Sequence, residues 1–395
     1  MTSRERILAA CAHEPTDHVP LHLEVHPSYL TYDPSVARWQ DQFERTDDLL
    51  ALGTDAMVEV WLPDPSFHPD VRVRQWKEAD GVTGASVLYK EYETPAGILR
   101  QAIRETEDLY SWHKINRNTR GPLADLIDGV GLLEDVNPSR SVEFLIKCPG
   151  DLERMRYLFQ PLSGMALDSW REDALYAKRE AQKRQAVFLA RRTYCGSAML
   201  WLTDAEEAMC TFASDPEFIA EFLRIIQDWQ IAILGRVLEI GVDMVTRFGY
   251  YDTPDFWGRN YFQRYLKPLM DEEGEIVHQA GALLSQQQSE GVTQLADIYR
   301  TMKVDVFRDI DPVQGGEDLA RLKRELGDVK TLMGGINCDV MLANASPEEI
   351  HRVVRETLEL MSPGGGFILH PIPGIYAGVP WKKVLCMVEA WKEYA

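Results

Sequence analysis

The chain has 395 residues, with 42 Lys+Arg against 62 Asp+Glu and a formal net charge of −20. A 45% hydrophobic content with 10% aromatics suffices for a large core and excludes wholesale disorder. The negative balance argues against a nucleic-acid or anionic-membrane surface, since both need clustered Lys and Arg, but it leaves room for a small basic pocket.

Six scattered cysteines (Cys11, Cys148, Cys195, Cys210, Cys338, Cys386) form no CxxC pair. They read as a reduced complement rather than a disulfide framework or zinc ribbon. The segment Met1 to His13 lacks an apolar signal core, and no stretch approaches the roughly 18 apolar residues of a membrane span. The expectation is a soluble, cytoplasmic small-molecule enzyme.

In chain order, eight short β-branched runs are candidate strands: Val19–Val25, Asp55–Val60, Ala186–Thr193, Val242–Gly249, Ala282–Ser289, Val304–Asp311, Lys330–Asn337 and Gly365–Ile372. Amphipathic stretches with start signals lie between them. Ser214-Asp-Pro216-Glu217 opens a helix carrying Phe218, Phe222, Ile225, Ile226, Trp229 and Ile233 at helical spacing. Thr253-Pro254-Asp255 opens another, and Ser346-Pro347-Glu348-Glu349 reads as a capping box. This alternation predicts an α/β fold with a parallel sheet, and eight units predict closure into a (β/α)8 TIM barrel. An open doubly wound sheet is the competitor, but no G-x-G-x-x-G follows the first strand.

Residues 61–185 break the rhythm, because βα connections are usually a few residues long. Extended pieces at Val71–Trp76 and Ser86–Tyr92 surround the turn signals Asp80-Gly81 and Thr94-Pro95-Ala96-Gly97, and helical stretches follow near Pro122–Leu133 and Asp151–Phe159. The chain is thus expected to be one barrel domain, with 61–185 as a long insertion after the second strand that shapes the mouth.

In such a barrel, reactive groups sit at the C-terminal strand ends. The first strand ends His22-Leu-Glu24-Val-His26, whose alternation puts both imidazoles and the carboxylate on one side. The second offers Glu59. The third ends Arg191-Arg192-Thr193-Tyr194, and the fourth Arg247-Phe-Gly-Tyr250-Tyr251. The fifth ends Gln286-Gln287-Gln288-Ser289-Glu290, where alternation pairs Gln286 with Gln288 as neutral groups suited to orienting a polar ligand. The sixth ends Arg308-Asp309-Ile-Asp311, with Asp309 grouped with Asp311; Gly334-Gly335-Ile-Asn337 and His370 close the series. Glu24, Glu59, Glu290, Asp311 and His370 are the candidate catalytic groups. His22, His26, Tyr194, Arg247, Tyr250, Tyr251, Gln286, Gln288 and Asn337 are the candidate substrate contacts. Each of these also has a bland reading as a hydrogen-bonded core group. Gly334-Gly335 could let backbone amides approach an anion, whereas Gly364-Gly365-Gly366 reads as a turn. The P-loop, H-E-x-x-H and G-x-S-x-G motifs are absent.

Leu332-Met-Gly-Gly-Ile336, Ser346-Pro-Glu-Glu349, Ser362-Pro-Gly-Gly-Gly-Phe-Ile-Leu369 and Val379-Pro, followed by Val388-Glu-Ala, resemble the uroporphyrinogen decarboxylase superfamily. The opening Arg4-Glu-Arg-Ile-Leu-Ala-Ala with Pro15-Thr-Asp-His-Val-Pro20 is similar to the same family, as are Gly241-Val-Asp-Met and Tyr265-Leu-Lys-Pro268. True porphyrinogen decarboxylases carry arginines after the first strand and a late histidine. Here those places read Leu23-Glu-Val-His-Pro-Ser-Tyr29 and Pro373. The corrinoid-dependent methyltransferase branch is closer. Its thiol-activating members bind zinc through His-x-Cys and a late cysteine, replaced here by Gln286-Gln-Gln-Ser289 and a segment near Pro373.

The resemblance therefore implies a methyltransferase that moves a methyl group from a small methylated substrate, such as an aromatic methyl ether or methylamine, to a corrinoid (cobalamin) protein. A divalent metal such as zinc would need other ligands, for which Glu24, His26, Glu290, Asp311 and His370 are available. Homodimers occur in the superfamily. Two alternatives stay open: a decarboxylase or lyase anchoring a small carboxylate on Arg191, Arg192 or Arg247, and a non-catalytic tetrapyrrole or corrinoid binder.

Overall fold

The computed structural model describes residues 1–26, 29–33, 36, 39–104, 141–194 and 196–395. Seven parallel strands form one sheet in the order in which they occur: β1 (Met57–Trp61), β6 (Val187–Thr193), β7 (Met244–Phe248), β8 (Leu283–Gln287), β9 (Val306–Ile310), β10 (Thr331–Asn337) and β11 (Phe367–Ile372). The expected first strand, Val19–Val25, makes isolated bridges rather than a ladder. Leu21 pairs with Leu369, Val25 with Ile375, and His22 with Asp55, so this segment touches the sequence-last strand on one side and the approach to β1 on the other.

The face that the strands turn inward is layered. Met57, Val187, Leu189, Met244, Val306, Met333 and Ile368 make an apolar floor, packed against Ile7 and Ala10 of the helix Ser3–Cys11. Because strand side chains alternate, the next residues of the same parity stand above this floor. These are Glu59, Arg191, Thr246, Ser285, Gln287, Arg308 and His370, with registered pairs Arg191↔Thr246, Thr246↔Ser285 and Gln287↔Arg308. Helices clothe the other face in the larger core, among them Gly164–Arg184, Pro216–Ile240, Lys267–Gln279 and Pro347–Met361. Asp215 caps the second of these, and Ser346 closes a capping box on the last, as their sequences require.

Between β1 and β6 lies a four-stranded antiparallel sheet of β2 (Arg72–Ala79), β3 (Ser86–Thr94), β4 (Gly97–Arg104) and β5 (Ser141–Glu143). β2 and β3 run longer than the two predicted pieces, and β4 and β5 extend the sheet beyond them. Tyr92 and Leu99 tie it to the main core. A helix at Asp151–Met155 follows, and then the 21-residue helix Gly164–Arg184, which the strand-centred sequence reading passed over. The predicted helix near Pro122–Leu133 lies outside the described residues. Among the described residues, no helix is long and apolar enough to cross a membrane.

Candidate active site

Glu24 is the hub of the inward-facing polar layer. Arg191 grips it with two parallel bonds, Nη1 to Oε1 at 3.1 Å and Nη2 to Oε2 at 2.8 Å. Arg308 donates to Oε2 from the opposite strand. Arg191 also places Nε 3.0 Å from Glu59. Burial alone would raise the Glu24 carboxyl, but the two guanidiniums overcome it and hold the group well below the usual carboxylate range. Glu24 keeps 24% of its side chain exposed, so the network opens toward the mouth.

Asp309 is the second hub. It is fully buried and accepts from Tyr250 Oη at 2.6 Å and Gln287 Nε2 at 2.9 Å. His370 Nε2 stands 3.2 Å from its other oxygen, and Arg308 Nε is 3.7 Å away. Strand alternation cannot put Arg308 and Asp309 on the same face. A register shift does: Arg308 pairs with Met333 but Ile310 pairs with Gly334, which leaves Asp309 as an extra residue at φ 69°. A Cβ on Gly334 would come within 2.5 Å of the Ile310 backbone, so glycine is needed for this approach. The Gly334-Gly335 pair thus makes room for neighbouring chain rather than for an anion; a Cβ on Gly335 would strike Thr357.

A chain of mostly buried aromatic rings reaches this layer at Tyr250. Tyr194 packs edge-on to Trp201, Trp201 meets Phe248, and Phe248 meets Tyr250 with ring centroids 4.7 Å apart. Across from them His26 stacks on Tyr376 at 4.0 Å. Burial, followed by Asp309, holds the Tyr250 hydroxyl protonated well above its ordinary range. Burial depresses His26 to about 4 and His22 to about 3, the latter helped by neighbouring His370 and Arg308, so both rings are neutral near pH 7.

The other candidates lie elsewhere. Arg247, Gln286 and Gln288 point from β7 and β8 into the helix layer. Arg247 bonds Glu273 of the helix Lys267–Gln279 and reaches Gln286 at 3.2 Å, while Tyr299 donates to Gln288 at 2.7 Å. Thr193 joins this cluster by bonding Glu273, because a second register shift between Arg191 and Thr193 turns Thr193 outward. Asp311 and Asn337 hold each other at 2.9 Å and accept from the backbone amides of residues 313–314 and 340–341, which is turn-building work. Glu290 and Tyr251 sit at the rim near Asp255; burial, then Asp255, raises the Glu290 carboxyl. Cys195 and the Arg192 side chain lie outside the described residues.

Among the described residues, no three His, Cys, Asp or Glu side chains gather as a metal site. Of the five alternative ligands, Glu24 and His370 are committed to Arg191, Arg308 and Asp309, and Asp311 to its turn. That leaves Glu290 near Asp255 and His26 stacked on Tyr376, too few among the described residues to make a zinc site. Arg308, Asp309 and Gln287, with the rings of Trp201 and Phe248, stand here without being among the sequence candidates. The hint for the first two was the dense Arg-Asp-Ile-Asp strand end, but only a bulge brings both inward. Gln287 faces inward because the glutamine run has the parity opposite to the expected one.

Comparison with known proteins bears on this architecture. The uroporphyrinogen decarboxylase (URO-D) family pattern matches residues 197–394. No curated protein matches the sequence. Among solved structures, a methyltransferase from Methanosarcina mazei superposes with a TM-score of 0.60 at 15% identity, covering 100% of this chain and 99% of that one. A B12-independent methionine synthase from Shewanella sp. W3-18-1 aligns at 0.34 with 11% identity, over 59% of this chain and 66% of that one. A 3-keto-D-glucoside 4-epimerase from E. coli also aligns at 0.34, with 10% identity over 62% and 94% of the two chains.

Proposed function

The chain belongs to the uroporphyrinogen decarboxylase family, and from that premise we propose that it is a methyltransferase that takes a methyl group from a small methylated donor and passes it to a corrinoid protein. In this reading the protein is one (β/α)8 barrel, closed by the segment around Leu21–Val25, with residues 61–185 as an elaborated connection at its mouth. The donor, an aromatic methyl ether or a methylamine, sits above Glu24 against the Tyr194–Trp201–Phe248–Tyr250 wall.

One observation carries this choice within the family. The guanidiniums of Arg191 and Arg308 are already paired with Glu24, Glu59 and Asp309, and a third, Arg45, faces Glu59 and Glu24 and donates to the Val25 carbonyl at 3.2 Å. A polycarboxylate substrate needs cations that are free to clamp it. A charge-balanced, aromatic-walled site suits a small substrate with little charge of its own. The same pairing weighs against a lyase anchored on Arg191, and Arg247 is sealed from the inward face by its bond to Glu273. Demethylation asks the protein to protonate the departing heteroatom. Tyr250, held protonated and half-exposed on the wall, supplies that proton in this reading. No step needs a metal held by the described residues.

The test is to mix purified protein with reduced corrinoid, free and carried on its acceptor protein, and a panel of methyl ethers and methylamines. Growth of the methylcorrinoid absorbance with at least one donor is expected. Absence of methyl transfer across the panel, with the loaded acceptor supplied, overturns the proposal.

A further inference from the structure

The contact between His370 and Asp309 contains a proton that the rest of the hydrogen bonding does not explain. His370 Nδ1 lies 2.9 Å from the carbonyl oxygen of His22. A carbonyl only accepts, so Nδ1 carries a hydrogen. The other nitrogen, Nε2, faces Asp309 Oδ1 at 3.2 Å, oblique to the ring N–H direction, and both side chains are fully buried. A neutral ring would therefore aim a bare lone pair at a carboxylate oxygen where water is excluded. That arrangement leaves two buried polar atoms unsatisfied and repelling each other. A proton between them removes both penalties.

The surroundings decide which partner owns it. Asp309 accepts from Tyr250 and Gln287 at its second oxygen and has Arg308 beside the first. Donors on three sides favour the ionised carboxylate. The proton then belongs to the ring. The charged and titratable groups facing this pair are Glu24, Arg308, Arg191, Tyr250 and the His22 ring, stacked on His370 with centroids 5.5 Å apart. His22 donates Nδ1 to the Asp55 carbonyl and stays neutral, so it does not compete for the charge.

We propose that His370 and Asp309 store one buried proton as an imidazolium–carboxylate pair, and that Asp309 relays it to Tyr250 when Tyr250 protonates the substrate. This role rests on the methyltransferase reading; the stored proton does not. In the step, the methyl–heteroatom bond breaks and its electron pair stays on the heteroatom, while the methyl carbon forms its new bond with an electron pair supplied by the reduced acceptor. Tyr250 gives its hydroxyl proton to the heteroatom. Asp309 passes the Nε2 proton of His370 to the phenolate, and after product leaves a solvent proton returns to the buried ring by the reverse path, through Tyr250 and Asp309. His370 and Asp309 touch one another and Tyr250 rather than the substrate, so they are positioning residues.

Nitrogen-15 NMR of histidine-labelled full-length protein reads the protonation directly. Two protonated nitrogens on His370 are expected in the wild type, with Nε2 losing its proton in Asp309→Asn, a change the left-handed backbone tolerates. A bare Nε2 in the wild type overturns the proposal whatever the activity. With the proton in place, Tyr250→Phe should slow demethylation of a methyl ether by about 100-fold. The loss on a quaternary ammonium donor, whose leaving group needs no proton, should be about tenfold smaller. An equal loss on both donors overturns the relay while leaving the stored proton standing. A protonated ring in a protein that transfers no methyl group at all contradicts the relay and the methyltransferase reading together.

Discussion

Two buried arginine–glutamate pairs lie on neighbouring strands and serve different ends. Arg247–Glu273 sits under the helices with Arg247 0% exposed and Glu273 1%. Glu24 with Arg191 and Arg308 sits on the inner face, similarly buried at the guanidiniums but open at the carboxylate. Residue types and bond geometry are alike; what differs is the face of the strand. An ion pair sealed on all sides can only hold structure, whereas one that meets the mouth can also meet a ligand.

Breaking the sealed pair should have the largest effect. Arg247→Met leaves Glu273 buried without its counter-charge and should cost about 3–5 kcal/mol, read by urea unfolding. Adding Glu273→Leu should recover part of that loss, since a well-packed apolar pair is often no worse. A single variant within about 1 kcal/mol of wild type would mean the pair is not sealed.

Glu24→Gln comes next, and its loss should fall on activity. The amide keeps the shape but releases two guanidiniums toward the substrate, so methyl transfer should drop about 100-fold, or about 2.7 kcal/mol in the barrier. The midpoint of unfolding should move less than for Arg247→Met. The reverse order would erase the distinction between the two pairs.

A smaller effect appears with pH. His26 in the folded protein is depressed to about 4, below the ordinary 6.5 or so, so the unfolded chain takes up its proton first. Its contribution is therefore complete above about pH 6.5 and falls as the pH drops toward 4. His22 acts in the same direction down to about 3. Asp252 and Glu273, whose carboxyls burial raises, act in the opposite sense, losing their contribution as pH rises. Comparing variants isolates one group: His26→Gln should lose less stability than wild type between pH 7 and 5 in thermal melts. An unchanged slope would contradict the depressed value.

The exposed pair Arg300–Asp328, two bonds at 2.6 Å on the surface, supplies the lower bound. Arg300→Ala should leave both the unfolding midpoint and the activity close to wild type. A larger cost would mean that exposure is a poor guide to what these pairs do.

The sequence carried the seven ladder strands within a few residues and put Glu24, Glu59, His370 and Tyr250 at strand ends, because apolar runs and end positions are local properties. It could not carry parity past a bulge. Asp309 reaches the inner face only because one residue is left over between β9 and β10, and Thr193 turns away for the same reason on β6. The glutamine run shows the second limit: alternation separates Gln287 from Gln286 and Gln288 but does not say which faces inward. That depends on Met244 and its neighbours building the floor, a long-range fact. Asp311 and Asn337 have the composition of a site but spend their oxygens on backbone amides.

A crystal structure with a slow methylated donor, or its demethylated product, bound at saturating concentration tests the central claim most directly. The methyltransferase account predicts the heteroatom on the inner face within hydrogen-bond reach of the Tyr250 hydroxyl, the carbon skeleton against the aromatic wall, and Glu24 still gripped by Arg191 and Arg308. A ligand carboxylate held by Arg191 in place of Glu24 would contradict it and assign the site to a lyase.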